Sequence, residues 1–188
     1  MPEISDGCVV PGNQDLSIET QVDRTVRWFL PYHRAVARRI AEFRRAGTVP
    51  VVIAVHSFTP RMYGMDRPWQ VGVLWRGDRR LAAPVLAALE ARGDLVVGDN
   101  QPYSGVREFG FTVQFHAQRT RLPHIMFEVR QDEIGDRDNA VRYAQILHDS
   151  LREPLSDPAL HTLYEGDNLD RHGGLLSWRH AMGGSPLG

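Results

Sequence analysis

A chain of 188 residues is long enough for one domain, or one domain and a tail, around a sizeable core. Its 42% hydrophobic and 24% charged content is ordinary for a globular protein, and a formal net charge of -1 gives no electrostatic case for nucleic acid or an acidic membrane, so a small-molecule partner is expected. The 22 basic side chains are all Arg and scattered, the single Cys8 excludes an internal disulfide framework, and neither a membrane-length apolar run nor a signal peptide is present, which makes a reducing, cytoplasmic setting the default.

Residues 1 to 16 hold the turn formers Gly7, Pro11, Gly12 and Asn13 and read as irregular. From about Ser17 to Ala46, Val22, Val26, Phe29, Leu30, Val36, Ile40 and Phe43 recur at spacings of three and four, which predicts an amphipathic helix closed by Gly47 and either kinked or split at Pro31. His33 lies on the apolar stripe, where a packed, hydrogen-bonded histidine is the simplest reading and a polar group aimed at a site the other.

The run Val49 to Pro60 is rich in Val and Ile and ends in His56, Ser57 and Thr59, which fits a central strand of a parallel or mixed sheet. Ligands collect beyond the carboxyl ends of strands in such sheets, and a neutral imidazole there is either a satisfied side chain or a metal ligand or general base. A loop follows from Arg61 to Pro68, then a strand over Trp69 to Trp75 in which Gly72 marks a close backbone approach. An Ala/Leu-rich helix over Leu81 to Ala91 and a short strand at Leu95 to Val97 complete a βαβ rhythm.

Gly98 to Gly105 is a polar, turn-rich loop after a strand, equally readable as a well-made turn or as a place where binding groups are held. Phe111 to His116 alternates and predicts a strand with a histidine at its end. In Leu122 to Arg130 the period of two sets Ile125, Phe127 and Val129 against His124, Met126, Glu128 and Arg130. A carboxylate inside such a run must pair with an Arg, bind a metal or stand in a solvated cleft, because burying it alone costs several kcal/mol. A covering helix is predicted over Asp136 to Leu151, and beyond Pro154 the sequence has little to bury, so a loosely held tail is expected, with His161, His172 and His180 lacking metal-like spacing.

Val55-His56-Ser57-Phe58-Thr59-Pro60, Arg67-Pro68-Trp69, Gly98 to Gly105 and Glu128-Val129-Arg130-Gln131-Asp132 resemble, in that order, the N-formylglutamate amidohydrolase family, from about Ser5 to Leu151. The resemblance implies an α/β fold with a mixed, largely parallel sheet flanked by helices, similar to the zinc carboxypeptidases and related hydrolases, over residues 1–155, with a tail over 156–188. It implies a zinc-dependent hydrolase that cleaves the amide bond of N-formylglutamate or a similar N-acyl amino acid, a reaction of amino-acid degradation. His56 looks like the later of two zinc-ligating histidines and Glu128 like the glutamate that activates zinc-bound water. Ser57, Arg67, Asn100, Tyr103, Ser104 and His116 are the candidates for holding the substrate's carboxylates or its developing oxyanion.

The family's first histidine and its acidic ligand have no counterpart, since no His-x-x-Glu or His-x-x-Asp occurs in the chain. Either an N-terminal part is missing or this member no longer holds zinc in the usual way, so weak zinc binding and poor hydrolysis are expected of these residues, with a catalytically impaired small-molecule binder as the alternative. A sheet lacking strands would be open along an edge, which homo-oligomerisation would cover. An α/β hydrolase using Ser57 with His116 is a third reading, weakened by the absence of a Gly-x-Ser-x-Gly turn. His56, Glu128 and the loop from Asn100 to Ser104 are expected to converge on one cleft.

Overall fold

The computed structural model describes residues 1–5, 7–105 and 110–166; His172 and His180 lie outside the described residues, as does the end of the expected tail. Among the described residues two compact units are distinguished, the first over Met1–Glu42 and the second over residues 43–166.

The first unit opens with a two-residue hairpin, β1 (Ile4–Ser5) against β2 (Cys8–Val9), turning at Gly7 with φ +73°. Helix α1 (Ile18–Arg24) starts where the Ser17 hydroxyl accepts the Thr20 N–H, and it runs through a widened turn at Thr25–Phe29 into α2 (Leu30–Arg45). Pro31 therefore neither stops nor splits the helix. The proline has no N–H for the i→i−4 ladder, and the turn just before it rewinds so that the Leu30 N–H bonds back to the Thr25 carbonyl. Gly47 closes α2 at φ +76°, its N–H on the Arg44 carbonyl and that of Thr48 on the Phe43 carbonyl, as the sequence predicts. His33 packs within its own helix, its ring 4.1 Å from that of Phe29.

The second unit is built on a mixed four-stranded sheet in the order β3 (Val52–Phe58), β8 (His124–Arg130), β6 (Val71–Leu74), β7 (Val97–Asp99). The β3–β8 and β6–β7 ladders are parallel and the β6–β8 ladder between them antiparallel. Two-residue strands β4 (Arg61–Met62) and β5 (Met65–Asp66) form a hairpin beside it. Among the described residues β3 is an edge strand, with Val55 62% exposed, and not the central strand its apolar content suggests. Helix α3 (Ala82–Glu90) makes the crossover from β6 to β7, so the βαβ rhythm is present.

Alternation along β8 divides the sheet into two faces with different duties. Ile125, Phe127 and Val129, with Val71 and Val73 of β6, pack beneath Leu81, Val85, Leu86 and Leu89 of α3 and Tyr143, Ile146 and Leu147 of α5 (Arg137–Arg152), and this is the core. The other face carries His124, Met126 and Glu128. Asp136 caps α5, its carboxylate accepting the Asn139 N–H at 2.8 Å.

Two further expectations fail. Phe111–His116 is a short helix, α4, not a strand; Phe111 and Phe115, four residues apart, stack with ring centres 5.1 Å apart, and Val113 turns inward, a spacing that fits a helix turn as well as it fits alternation. The chain beyond Pro154 is also not loose as far as it is described. Leu160 is buried, both His161 ring nitrogens lie against backbone carbonyls of Val49 and Leu155, and Tyr164 is tied to the Arg121 carbonyl.

Candidate active site

Register places the site. His56 and Glu128 are direct partners across the parallel β3–β8 ladder, and Gly72 is the partner of Glu128 on the β6 side, so the three share one face of the sheet. His56 Nδ1 stands 3.6 Å from Glu128 Oε1, with the imidazole about half exposed and the carboxylate 5% exposed. Glu128 thus forms the floor and His56 the rim.

The second carboxylate oxygen, Oε2, is buried with no hydrogen-bond partner among the described residues. Burial pushes the Glu128 carboxyl up to about 7, against the opposing pull of the Arg67 guanidinium. A carboxyl poised near neutrality both takes and returns a proton, which is what general acid–base chemistry at an amide requires.

Gly72 gives the loop its access. A Cβ there would run into the Gln101 carbonyl, so the missing side chain lets the loop after β7 settle against the sheet beside Glu128. The close backbone approach read from the sequence is this contact. On the other side of the pair, a Cβ on Gly110 would stand 2.8 Å from Met126 Cε and 3.8 Å from His56 Cε1, so the start of α4 covers the rim. Sequence reasoning passed over Gly110; its only signal is a glycine directly ahead of an aromatic-rich stretch.

The loop residues divide by role. Asn100, at φ +53°, uses its side-chain carbonyl as a backbone brace, accepting the Trp75 N–H at 3.0 Å and the Gly105 N–H at 3.2 Å. That oxygen is committed to the loop and leaves only the amide nitrogen for a ligand. Tyr103 meets Arg67, its hydroxyl accepting from Arg67 Nη1 at 3.1 Å beneath a guanidinium 4.8 Å from its ring centre. Ser104 follows, half-buried.

Ser57 is brought elsewhere. As the next residue along β3 it faces the side of the sheet opposite His56, in register with Val129, so it does not share the cleft with Glu128. His116 is buried in α4, edge-on to Phe115, at the end of a helix and not of a strand.

A catalytic zinc takes three protein ligands and one water. Among the described residues no group of three or more His, Cys, Asp or Glu side chains is placed to hold a metal ion. His56 is one donor of the right kind, and the donor set around it does not fit a three-ligand zinc. No helix among the described residues is long and apolar enough to cross a membrane.

The sequence model of the N-formylglutamate amidohydrolase family matches residues 1–135. Of the solved structures similar to this chain, a gene product of Agrobacterium tumefaciens is 36% identical with a TM-score of 0.75, over 83% of this chain and 62% of its own. An N-formylglutamate amidohydrolase from Ralstonia eutropha is 19% identical with a TM-score of 0.56, over 76% of this chain and 57% of its own, a likeness of fold. The chain thus spans about three fifths of the length of either structure. No curated protein is similar enough to count as a match.

Proposed function

The chain belongs to the N-formylglutamate amidohydrolase family, and from that membership we propose that it hydrolyses the amide bond of N-formyl-L-glutamate or a similar N-acyl amino acid. The observation that carries the proposal is the buried Glu128 carboxyl, one oxygen unpartnered and the other 3.6 Å from the half-exposed His56 imidazole. In this reading Glu128 takes a proton from water as the water oxygen bonds to the formyl carbon, then returns it to the amide nitrogen as the C–N bond breaks, giving formate and the free amino acid. His56 lines the open side of the same cleft, where it orients that water. Arg67 and the Tyr103 hydroxyl receive the substrate's carboxylate, a task suited to a guanidinium fork.

Zinc belongs to what the family resemblance implies, but the donors among the described residues do not fit it. The same observation favours a second reading, a small-molecule binder that keeps the acyl-amino-acid pocket without turnover. Formate release from N-formyl-L-glutamate, measured with calorimetric binding and metal analysis on the purified chain, separates the two. Release that disappears in Glu128→Gln supports the hydrolase. Binding without release supports the binder, and the absence of both removes the substrate assignment.

A further inference from the structure

Two arginines stand at this end of the sheet with opposite surroundings. Arg130, the last residue of β8, is held by four protein partners: Nε donates to Asp132 at 2.8 Å, Nη2 to Glu133 at 2.7 Å, and Nη1 to the carbonyls of Pro68 and Arg67 at 3.0 and 3.3 Å. Arg67 has no carboxylate at ion-pair distance among the described residues, and its guanidinium meets only the Tyr103 hydroxyl, the Thr59 carbonyl, the Met62 sulfur and the faces of Phe58 and Tyr103. The first is a structural clamp; the second is a half-buried cation with no carboxylate at ion-pair distance among the described residues, near enough to the Glu128 carboxyl to pull against its burial.

The clamp acts on the segment that carries the open cation. Glu133, gripped by Arg130, also accepts from Gln70 at 3.0 Å and from the Tyr143 hydroxyl of α5 at 2.7 Å, and the Arg130 N–H bonds to the Gln70 carbonyl at 2.9 Å. Residues 67–70 are thereby held to β8 and to the core helix, which fixes the point from which the Arg67 side chain leaves the backbone. The Arg130 and Glu133 side chains are 18% and 19% exposed, so solvent competes little for these bonds.

We propose that Arg130 is a positioning residue that sets the selectivity of the site: through Arg67 it makes the cleft prefer N-acyl amino acids with an acidic side chain over their neutral amide counterparts. This rests on the hydrolase or binder reading above, since both need the same pocket. Lysine at position 130 keeps the charge but loses the planar fork, so it cannot reach Asp132, Glu133 and two carbonyls at once.

The test is calorimetric titration of the full chain with N-formyl-L-glutamate and with N-formyl-L-glutamine. Wild type binds the acidic ligand more tightly, and Arg67→Gln reduces the preference by about tenfold or more, the scale of a lost charge-assisted hydrogen bond. Arg130→Lys reduces it by about threefold or more while leaving the glutamine affinity nearly unchanged, and adds nothing in the Arg67→Gln background, as expected of two residues acting through one contact. Glu133→Gln gives the same pattern in a smaller degree and carries the test if Arg130→Lys does not fold. An unaltered preference in both Arg130→Lys and Glu133→Gln, or an equal loss for both ligands, overturns the inference while Arg67→Gln still shows the pocket to be acid-selective. A wild type that binds neither ligand, or both equally, overturns the inference together with the substrate assignment.

Discussion

Glu128 and Gly72 are paired across the antiparallel β8–β6 ladder, so the one buried carboxylate of the site has beside it the one position of β6 without a side chain. The vacancy is filled by the Gln101 carbonyl, which brings the loop after β7 against the face that carries Glu128. Gly72→Ala therefore forces loop and sheet apart. The expected cost is about 1–3 kcal/mol of stability, the usual range for overpacking a tight site, with a weakened affinity for N-formylglutamate. Denaturant midpoints and calorimetry check it, and an alanine variant with wild-type stability and binding contradicts the contact.

Asn100 is expected to be a brace and not a donor to substrate. Asn100→Asp keeps the oxygen that accepts from Trp75 and Gly105 and removes the amide nitrogen, so it should fold and bind nearly as wild type does. Asn100→Ala loses both bonds and the tolerance for positive φ, for about 2 kcal/mol of destabilisation. Thermal unfolding and ligand titration of the two variants decide; loss of binding in Asn100→Asp with stability retained would assign the amide nitrogen to the ligand.

The buried carboxyl also leaves a signature in stability. Its pKa is about 7 in the folded chain and near 4.5 in the unfolded one, so between these values the folded state holds a proton that the unfolded state has released. The stabilising contribution is complete below about pH 4.5, is lost as pH rises through 7, and does not return above it. The full cost is about 3 kcal/mol. In metal-free protein Glu128→Gln should match wild type near pH 4 and exceed it by roughly that amount at pH 8. A stability difference constant with pH contradicts the burial argument.

Much of this was legible in the sequence because the signals were local. The β6–α3–β7 unit follows from periodicity, the demand for an explanation of Glu128 follows from a carboxylate in an apolar run, and a glycine inside a strand pattern, as at Gly72, signals a close backbone approach. What escaped was set by packing at a distance. An apolar β-branched run looks alike at the edge and the centre of a sheet, so the sequence does not separate the edge position of β3 among the described residues from a central one. Six residues with apolar side chains at 111, 113 and 115 satisfy strand alternation and an i,i+4 helix contact alike, and neighbouring elements chose the helix of α4. The Asn100 amide oxygen and the Arg130–Glu133 clamp depend on partners many residues away, which spacing does not disclose.

If Glu128 moves the proton in amide hydrolysis, steady-state formate release from N-formyl-L-glutamate by wild type and Glu128→Gln reports it. The isosteric amide keeps the shape of the cleft and cannot accept a proton. We expect kcat to fall by about 10²–10⁴-fold, the usual contribution of a positioned general base, with KM changed far less. Turnover by Glu128→Gln within a few fold of wild type would show that another group moves the proton.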